Sequence, residues 1–290
     1  MKPPKFGYLA ASSLEQALGA LQTEDAKVIA GGQSLVPMLN FRLLRPSLLV
    51  DINRIAELDY LEETPGGGLR IGALTRHYKI ETSALVKRLF PVLAAAVAHI
   101  GHLAIRNRGS IGGSLSHADP AAEHLLLAML LDAKLTVRSA QGSRSVRAQD
   151  LVAGALSTTL EPHEILTGVE LPALAPGTGW GFEEFARRSG DFALAAAAVL
   201  LETDRGRVTN ARIAVSGRAD GPLRIAAAEA ALRGRACDEA AMDAVAAAVR
   251  AGIEPTADLH ASAELRHHIL GGLVRRACTS AWQRSLGGTA

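Results

Sequence analysis

Two stretches of small residues carry the chemistry most worth following in this chain. In Val28-Ile29-Ala30-Gly31-Gly32-Gln33-Ser34-Leu35 a β-type apolar run gives way to a glycine pair, an amide and a hydroxyl, and Pro37 then suits the first turn of a helix. Glycines lack Cβ atoms, so backbone N–H groups approach an anion closely there, and the helix start adds partial positive charge. A phosphate suits such a loop; a plain strand-to-helix turn is the other reading. The loop has neither the lysine of a Walker motif nor the G-x-G-x-x-G spacing of a dinucleotide fold. Further along, Arg106-Asn107-Arg108-Gly109-Ser110-Ile111-Gly112-Gly113-Ser114 repeats the double glycine and small hydroxyls. Two such loops, brought together, would grip one pyrophosphate from both sides; read singly, the second is a tight turn with two solvated arginines. Just beyond it, Asp119-Pro120 reads as N-cap and first residue of a helix. Glu123 lies a turn further in, where it either accepts hydrogen bonds from a ligand or complements the helix dipole.

His99, His102, His117 and His124 fall in the same region, but no H-E-x-x-H or two-histidine-plus-carboxylate spacing accompanies them, so no metal site is expected. His267-His268 beside Arg266 reads as a solvated helix face. No nucleophile elbow or Cys/His pairing supports hydrolysis. The two cysteines, Cys237 and Cys278, read as separate buried thiols, and two thiols cannot supply the four thiolates of an iron–sulfur cluster.

The elements that must position these loops are those of a mixed chain of helices and strands. Short β-type runs at 27–30, 48–52 and 69–71 alternate with helix signals, with Thr75 as a helix cap, a helical stretch from Pro91 to about Ile100, and a loop over Gly109 to Ser114. A Pro- and Gly-rich stretch, Pro172 to Gly179, marks a change of composition. Beyond it come Phe182 to Phe185, the apolar run Ala193 to Leu201, a strand-like Ala211 to Val215 and Ala-rich helical stretches near 222–233, 238–251 and 260–284. At 290 residues and 48% hydrophobic content the chain buries a sizeable core without staples. Its 31 basic and 29 acidic residues nearly cancel, which argues against nucleic acid or an anionic membrane surface as partner. No run approaches the ~20 apolar residues of a membrane helix, and no h-region follows Met1, so a cytoplasmic chain without membrane insertion is expected.

With these residues in view, the sequence resembles the FAD-binding middle subunits of molybdenum hydroxylases, the group that includes carbon monoxide, xanthine, nicotine and caffeine dehydrogenases. The resemblance rests on Ala30-Gly31-Gly32-Gln33-Ser34-Leu35-Val36-Pro37-Met38 with Arg45-Pro46, on Val50-Asp51-Ile52-Asn53, on Ile71-Gly72-Ala73-Leu74-Thr75, on Ile105 to Glu123, on Glu164-Ile165-Leu166 and on Arg187-Arg188-Ser189-Gly190-Asp191-Phe192-Ala193. These segments run in order through nearly the whole chain.

The resemblance implies an α+β fold: a two-subdomain FAD-binding domain of PCMH type over 1–176, split near residue 60, and a C-terminal domain over 177–290 with a small antiparallel sheet and helices. It implies non-covalent FAD. Val28, Ile29, Ala30, Gly31, Gly32, Gln33, Ser34 and Leu35, with Ser110, Ile111, Gly112, Gly113 and Ser114, would cradle its phosphates and ribityl chain. Ile100 and Leu166 would line the flavin, and Glu123 would hydrogen-bond the cofactor. Many relatives place a lysine within the segment that reads Phe182-Glu183-Glu184-Phe185-Ala186 here, and Arg187 is the candidate to replace that cation. By the same resemblance the chain transfers electrons to a terminal acceptor. The [2Fe–2S] clusters would belong to a small partner subunit and the molybdopterin to a large one, assembled as a dimer of heterotrimers. Two other organisations remain open: a stand-alone FAD oxidoreductase with its own substrate pocket, and a cofactor-free scaffold subunit whose glycine loops are only turns.

Overall fold

The computed structural model describes residues 2–287. Five elements open the chain: β1 (Gly7–Ala10), α1 (Leu14–Ala20), β2 (Ala26–Ile29), α2 (Leu35–Asn40) and β3 (Leu48–Asp51). The strands form a parallel sheet in the order β1-β3-β2. The Ser13 hydroxyl starts α1 by accepting from the Gln16 amide, and Leu14, Ala17 and Leu18 then pack on Val50 and Ile52. Val28 pairs with Val50 and Ile29 with Asp51, so β2 and β3 end level with each other. The Gly31-Gly32 turn and Asn53 therefore leave the sheet at one edge, the carboxyl edge at which parallel sheets bind ligands.

The middle of the chain holds β4 (Leu61–Glu63), β5 (Leu69–Gly72), α3 (His77–Thr82), α4 (Ala84–Leu89), α5 (Pro91–Val97), α6 (Leu103–Arg106), α7 (Ile111–His117), α8 (Glu123–Leu130), β6 (Lys134–Ser139), β7 (Gly142–Arg147), β8 (Val152–Gly154), β9 (Ser157–Thr158) and β10 (Ile165–Leu171). Antiparallel pairing gives the order β4-β5-β10-β6-β7, with β8 and β9 as a separate ribbon. Ile71, Leu135, Val137 and Val169 from the sheet share one core with Phe90, Val97, Leu115 and Leu126 from the helices.

The last part contains β11 (Gly179–Phe185), β12 (Ala195–Asp204), β13 (Arg207–Ser216), β14 (Leu223–Arg224), α9 (Ala226–Leu232), α10 (Glu239–Gly252) and α11 (Ala263–Ser285). Its antiparallel sheet runs β11-β12-β13-β14. The apolar run seen in the sequence is β12, and its alternation has a physical cause. Ala195, Ala197, Val199 and Leu201 face the core under α9 to α11, whereas Ala196, Ala198 and Leu200 face the core of the middle helices. A strand covered on both faces reads as continuously apolar. Gly179 and Gly181 let α11 lie directly on β11: a Cβ at either would fall 1.9 Å from the Ala281 carbonyl oxygen or 2.0 Å from that of Ala277.

The α+β class and the antiparallel C-terminal sheet agree with expectation, and three local expectations are corrected. Thr75 caps nothing; it is fully buried and its hydroxyl donates to the Tyr60 carbonyl, while α3 begins two residues later. Asp119 makes a local turn by accepting from the Ala121 amide, and α8 starts only at Glu123 after Ala122. The second glycine stretch is a loop only as far as Ser110. Its hydroxyl caps α7 by accepting from the Gly113 amide, so Gly112 and Gly113 sit in a helical turn. Strand β1 has no forerunner in the sequence reading, since Gly7-Tyr8-Leu9-Ala10 is short and largely exposed at the sheet edge.

Candidate functional site

A cleft opens between the parallel sheet and the middle helices, in two adjoining chambers of about 420 Å³ and about 260 Å³. Gly31, Gly32, Ser34, Gly113 and His117 face both chambers. The larger chamber, and the two taken together, fall within the roughly 300–1,000 Å³ of small-molecule and cofactor sites.

The two sequence loops meet at the junction. A Cβ at Gly31 would lie 2.1 Å from the Arg108 carbonyl oxygen, so only glycine allows the approach. Asn53 and Arg76 tie the contact down. The Asn53 Nδ2 donates to the Ala30 carbonyl at 2.9 Å, and the Arg76 guanidinium donates through Nη2 to Asn53 Oδ1 at 2.6 Å and through Nη1 to the Arg108 carbonyl at 2.5 Å. Asp51 in turn fixes Asn53 by accepting from its amide and its side chain at 2.8 and 2.6 Å. An arginine with five fixed donors suits this bridging role.

The loops differ in what they can offer an anion. The amides of Gly31, Gly32, Gln33 and Ser34 have no acceptor among the described residues, and Ser34 makes no side-chain cap to α2. Gly31 and Gly32 are half-buried and Gln33 and Ser34 exposed, so the first two donors call most for a partner and all four are open to a ligand. In the second loop the Ile111 and Gly112 amides already donate to the carbonyls of Thr75 and Ala73 at 3.1 and 2.9 Å. The Ser110 amide has no acceptor among the described residues, and that of Gly113 is loosely held, by a 3.3 Å bond to Ser110 Oγ. A Cβ at Gly113 would meet nothing but that hydroxyl, at 3.1 Å, so its open side faces the cleft.

Of the sequence candidates, Val28, Ile29, Ala30, Gly31, Gly32, Ser34, Leu35, Gly112, Gly113 and Leu166 line the larger chamber, and Gln33, Ile100, Ser110, Ser114 and Glu123 the smaller. Two are not brought to the cleft. Ile111 is a core residue packed under α7, and Arg187 is exposed in the turn after β11. The structure adds residues to which the sequence reading gave no place in the site, although Asn53, Glu164 and Phe192 lie in its matching segments: Asn53 and Arg76 at the seam, His77 and Phe192 in the smaller chamber, and Leu160, Glu161, Pro162 and Glu164 in the larger. A side-chain amide just past a strand end, as at Asn53, was the available signal for the first of these.

Burial dominates the electrostatics. It pushes the Glu123 carboxyl up to about 8, aided by the nearby Glu184 charge. His77 and His124 form a buried pair with Nδ1 and Nε2 3.0 Å apart. Burial, then the Arg76 and Arg106 charges, lower His77 to about 4, and burial holds His124 well below the usual imidazole range. Both rings are neutral at pH 7, and His77 presents an edge to the smaller chamber. His99 lies 3.3 Å from Glu184, whose side chain is only 6% exposed; that hydrogen bond raises the imidazole's proton affinity. The described residues contain no group of three His, Cys, Asp or Glu side chains able to hold a metal ion, and no helix long and apolar enough to cross a membrane.

A parallel lobe and an antiparallel lobe closing on unpaired loop amides are the framework of a flavoprotein, and comparison with known proteins makes the class specific. Residues 4–174 match the FAD binding domain in molybdopterin dehydrogenase, and residues 180–281 match the CO dehydrogenase flavoprotein C-terminal domain. The 6-hydroxypseudooxynicotine dehydrogenase complex subunit alpha of Paenarthrobacter nicotinovorans is 42% identical over 98% of this chain and 97% of its own. The carbon monoxide dehydrogenase medium chain of Hydrogenophaga pseudoflava is 37% identical over 98% and 99%. A solved structure of carbon monoxide dehydrogenase from H. pseudoflava superposes with a TM-score of 0.95 at 39% identity, covering 98% of this chain and 99% of the other. One of quinoline 2-oxidoreductase from Pseudomonas putida 86 gives 0.95 at 39%, covering 99% and 100%. The chain belongs to the FAD-binding medium subunits of the molybdenum hydroxylases, a family of oxidoreductases whose molybdopterin and iron–sulfur centres sit on other subunits.

Proposed function

We propose that this chain holds FAD non-covalently in the cleft and passes electrons from the [2Fe–2S] clusters of a small partner subunit to a terminal acceptor. A large molybdopterin subunit would carry out the hydroxylation, within a dimer of heterotrimers. The observation that carries this reading is the seam at Gly31: two loops distant in sequence touch there, leaving four unpaired amides and the open face of Gly113 around one space. The residues fit a diphosphate at Gly31 to Ser34, at the junction of the chambers, with Gly113 opposite; Ile100 and Glu123 would then meet the part of the cofactor in the smaller chamber and Leu166 the part in the larger. The first loop would supply most of the phosphate grip, since two amides of the second, those of Ile111 and Gly112, are already bonded to Thr75 and Ala73. Bound flavin supplies conversion between one-electron and two-electron carriers. The chain's own residues orient it, exclude water from its phosphates and set the charge around it. This reading keeps units at about 1–60, 61–176 and 177–290.

The test is direct. Purified full-length chain should be yellow, with one FAD per chain released intact by acid precipitation. Co-expression with the neighbouring reading frames should give a complex containing iron and molybdenum. A colourless chain that takes up no FAD at micromolar concentration would end the proposal.

A further inference from the structure

One group of titratable side chains touches the smaller chamber and leads away from it to solvent. Glu123, the first residue of α8, forms part of the chamber wall. Glu184, on β11, has a side chain only 6% exposed, and its Oε2 is buried with no hydrogen-bond partner among the described residues. Its other oxygen, Oε1, lies 3.3 Å from His99 Nδ1, and the His99 side chain is 48% exposed. Phe182 packs edge-on against the imidazole at 5.3 Å and keeps it over Glu184. Glu184 and half-exposed His99 thus form a pair that joins the protein interior to water, and the charges of both act on Glu123 in the chamber wall.

Two buried carboxylates that act on each other in a dry setting cannot both be charged at little cost, and one imidazolium offsets only one of them. The arrangement of lowest charge has His99 protonated, Glu184 ionised and Glu123 carrying a proton. Other ionisable groups around Glu123 do not replace that arrangement. Asp119, in the turn before α8, adds negative charge, and Glu183 acts on His99 from the same strand as Glu184. Asp191 and His117 line the chamber, and the His77–His124 pair facing it is neutral. No lysine or arginine side chain is among the residues lining this chamber.

We infer that Glu123, Glu184 and His99 form a proton-exchange path from solvent to the chamber wall, so that negative charge arriving on the bound cofactor is met by proton uptake at Glu123. The inference rests on the FAD reading above and goes beyond it by assigning the protons that accompany the electrons. Two electrons enter from an iron–sulfur donor, or from dithionite in vitro. The Glu123 O–H bond can break to deliver its proton to the reduced flavin. Glu184 and His99 pass a replacement inward, and His99 recovers its proton from water. At equilibrium the added negative charge raises the proton affinity of Glu123, so within a window above the oxidised-state value one extra proton is bound per two electrons.

The experiment is spectroelectrochemical titration of the FAD-loaded full-length chain between pH 6 and pH 10, after flavin content has been measured. The parent chain should show a bend, above which its potential falls more steeply with pH than that of Glu123→Gln. One proton per two electrons adds about 30 mV per pH unit. Glu184→Gln removes a negative neighbour and should move the bend to lower pH; His99→Gln removes a positive one and should move it higher. Opposite displacements are the signature, because a merely structural role for these residues gives no reason for opposite signs. Parallel potential–pH lines for the parent and all three variants, with flavin retained, would overturn the inference. If Glu123→Gln cannot hold FAD, the Glu184→Gln and His99→Gln displacements decide the matter alone. A parent chain that binds no FAD instead overturns the cofactor reading itself.

Discussion

Replacing Gly31 by alanine tests the convergence of the two loops most sharply. The added Cβ would lie 2.1 Å from the Arg108 carbonyl oxygen, where contacts under 3.0 Å are essentially never made, so the loops must part by about 1 Å. The same seam contains the 2.5 Å bond from Arg76 to that carbonyl and the 2.9 Å bond from Asn53 to the Ala30 carbonyl. Stretching the first by about 1 Å takes it beyond useful range, and a hydrogen bond from a charged donor is worth about 1.5–3 kcal/mol. Rebuilding the cofactor site against that strain should weaken FAD affinity by about 10- to 100-fold. Titration of deflavinated chain with FAD, followed by quenching of flavin fluorescence, measures the change. A dissociation constant within about threefold of the parent would refute the reasoning. Gly113→Ala is the matched control. Its Cβ meets only Ser110 Oγ at 3.1 Å, so the apo chain should melt within about 2 °C of the parent while FAD affinity still falls, because the methyl projects into ligand space.

Two further outcomes concern stability. His77 and His124 are held neutral, so their contribution to stability is complete above pH about 6.5 and is lost as pH falls towards about 4, because the unfolded chain takes up protons that the folded one refuses. His77 alone accounts for about 3 kcal/mol of that loss. The raised Glu123 carboxyl acts in the opposite sense, losing stability as pH rises towards about 8. On going from pH 7.5 to pH 5 the parent's urea midpoint should shift to lower urea relative to the shift in a chain carrying His77→Asn and His124→Leu, since Glu123 contributes equally to both; identical shifts in the two chains would refute the assignment. Gly181→Ala places a Cβ 2.0 Å from the Ala277 carbonyl and should lever α11 off β11, lowering stability by about 1–3 kcal/mol and Tm by several degrees in calorimetry.

Much of this architecture was legible where side-chain pattern and backbone need coincide. The Val28 to Leu35 stretch announces a strand, a glycine turn and a helix, and all three are present with amides turned to the cleft. The second stretch misled in part, because a glycine pair reads as loop when nothing in the sequence reveals that Ser110 caps a helix beginning at Ile111. Thr75 and Asp119 misled for a related reason: residues with side-chain acceptors serve both caps and turns, and only tertiary context chooses between them. The seam built by Asn53 and Arg76, and the pairing of His77 with His124, join residues far apart in the chain; single-sequence periodicity carries no signal for such contacts. Arg187 was the expected stand-in for a missing cation, yet it points to solvent, and the imidazole beside Glu184 arises from another element altogether.

Strand β12 shows why the alanine content of this chain is more than compositional drift. Its alternate residues answer to two different neighbours, the C-terminal helices on one side and the helical layer that carries Glu123 on the other. Enlarging a methyl on either side would shift the strand as a whole, and with it the adjacent β11 on which Glu184 rides. Substitutions deep in the terminal third, remote from any phosphate, would then register as a colour or potential change in the flavin.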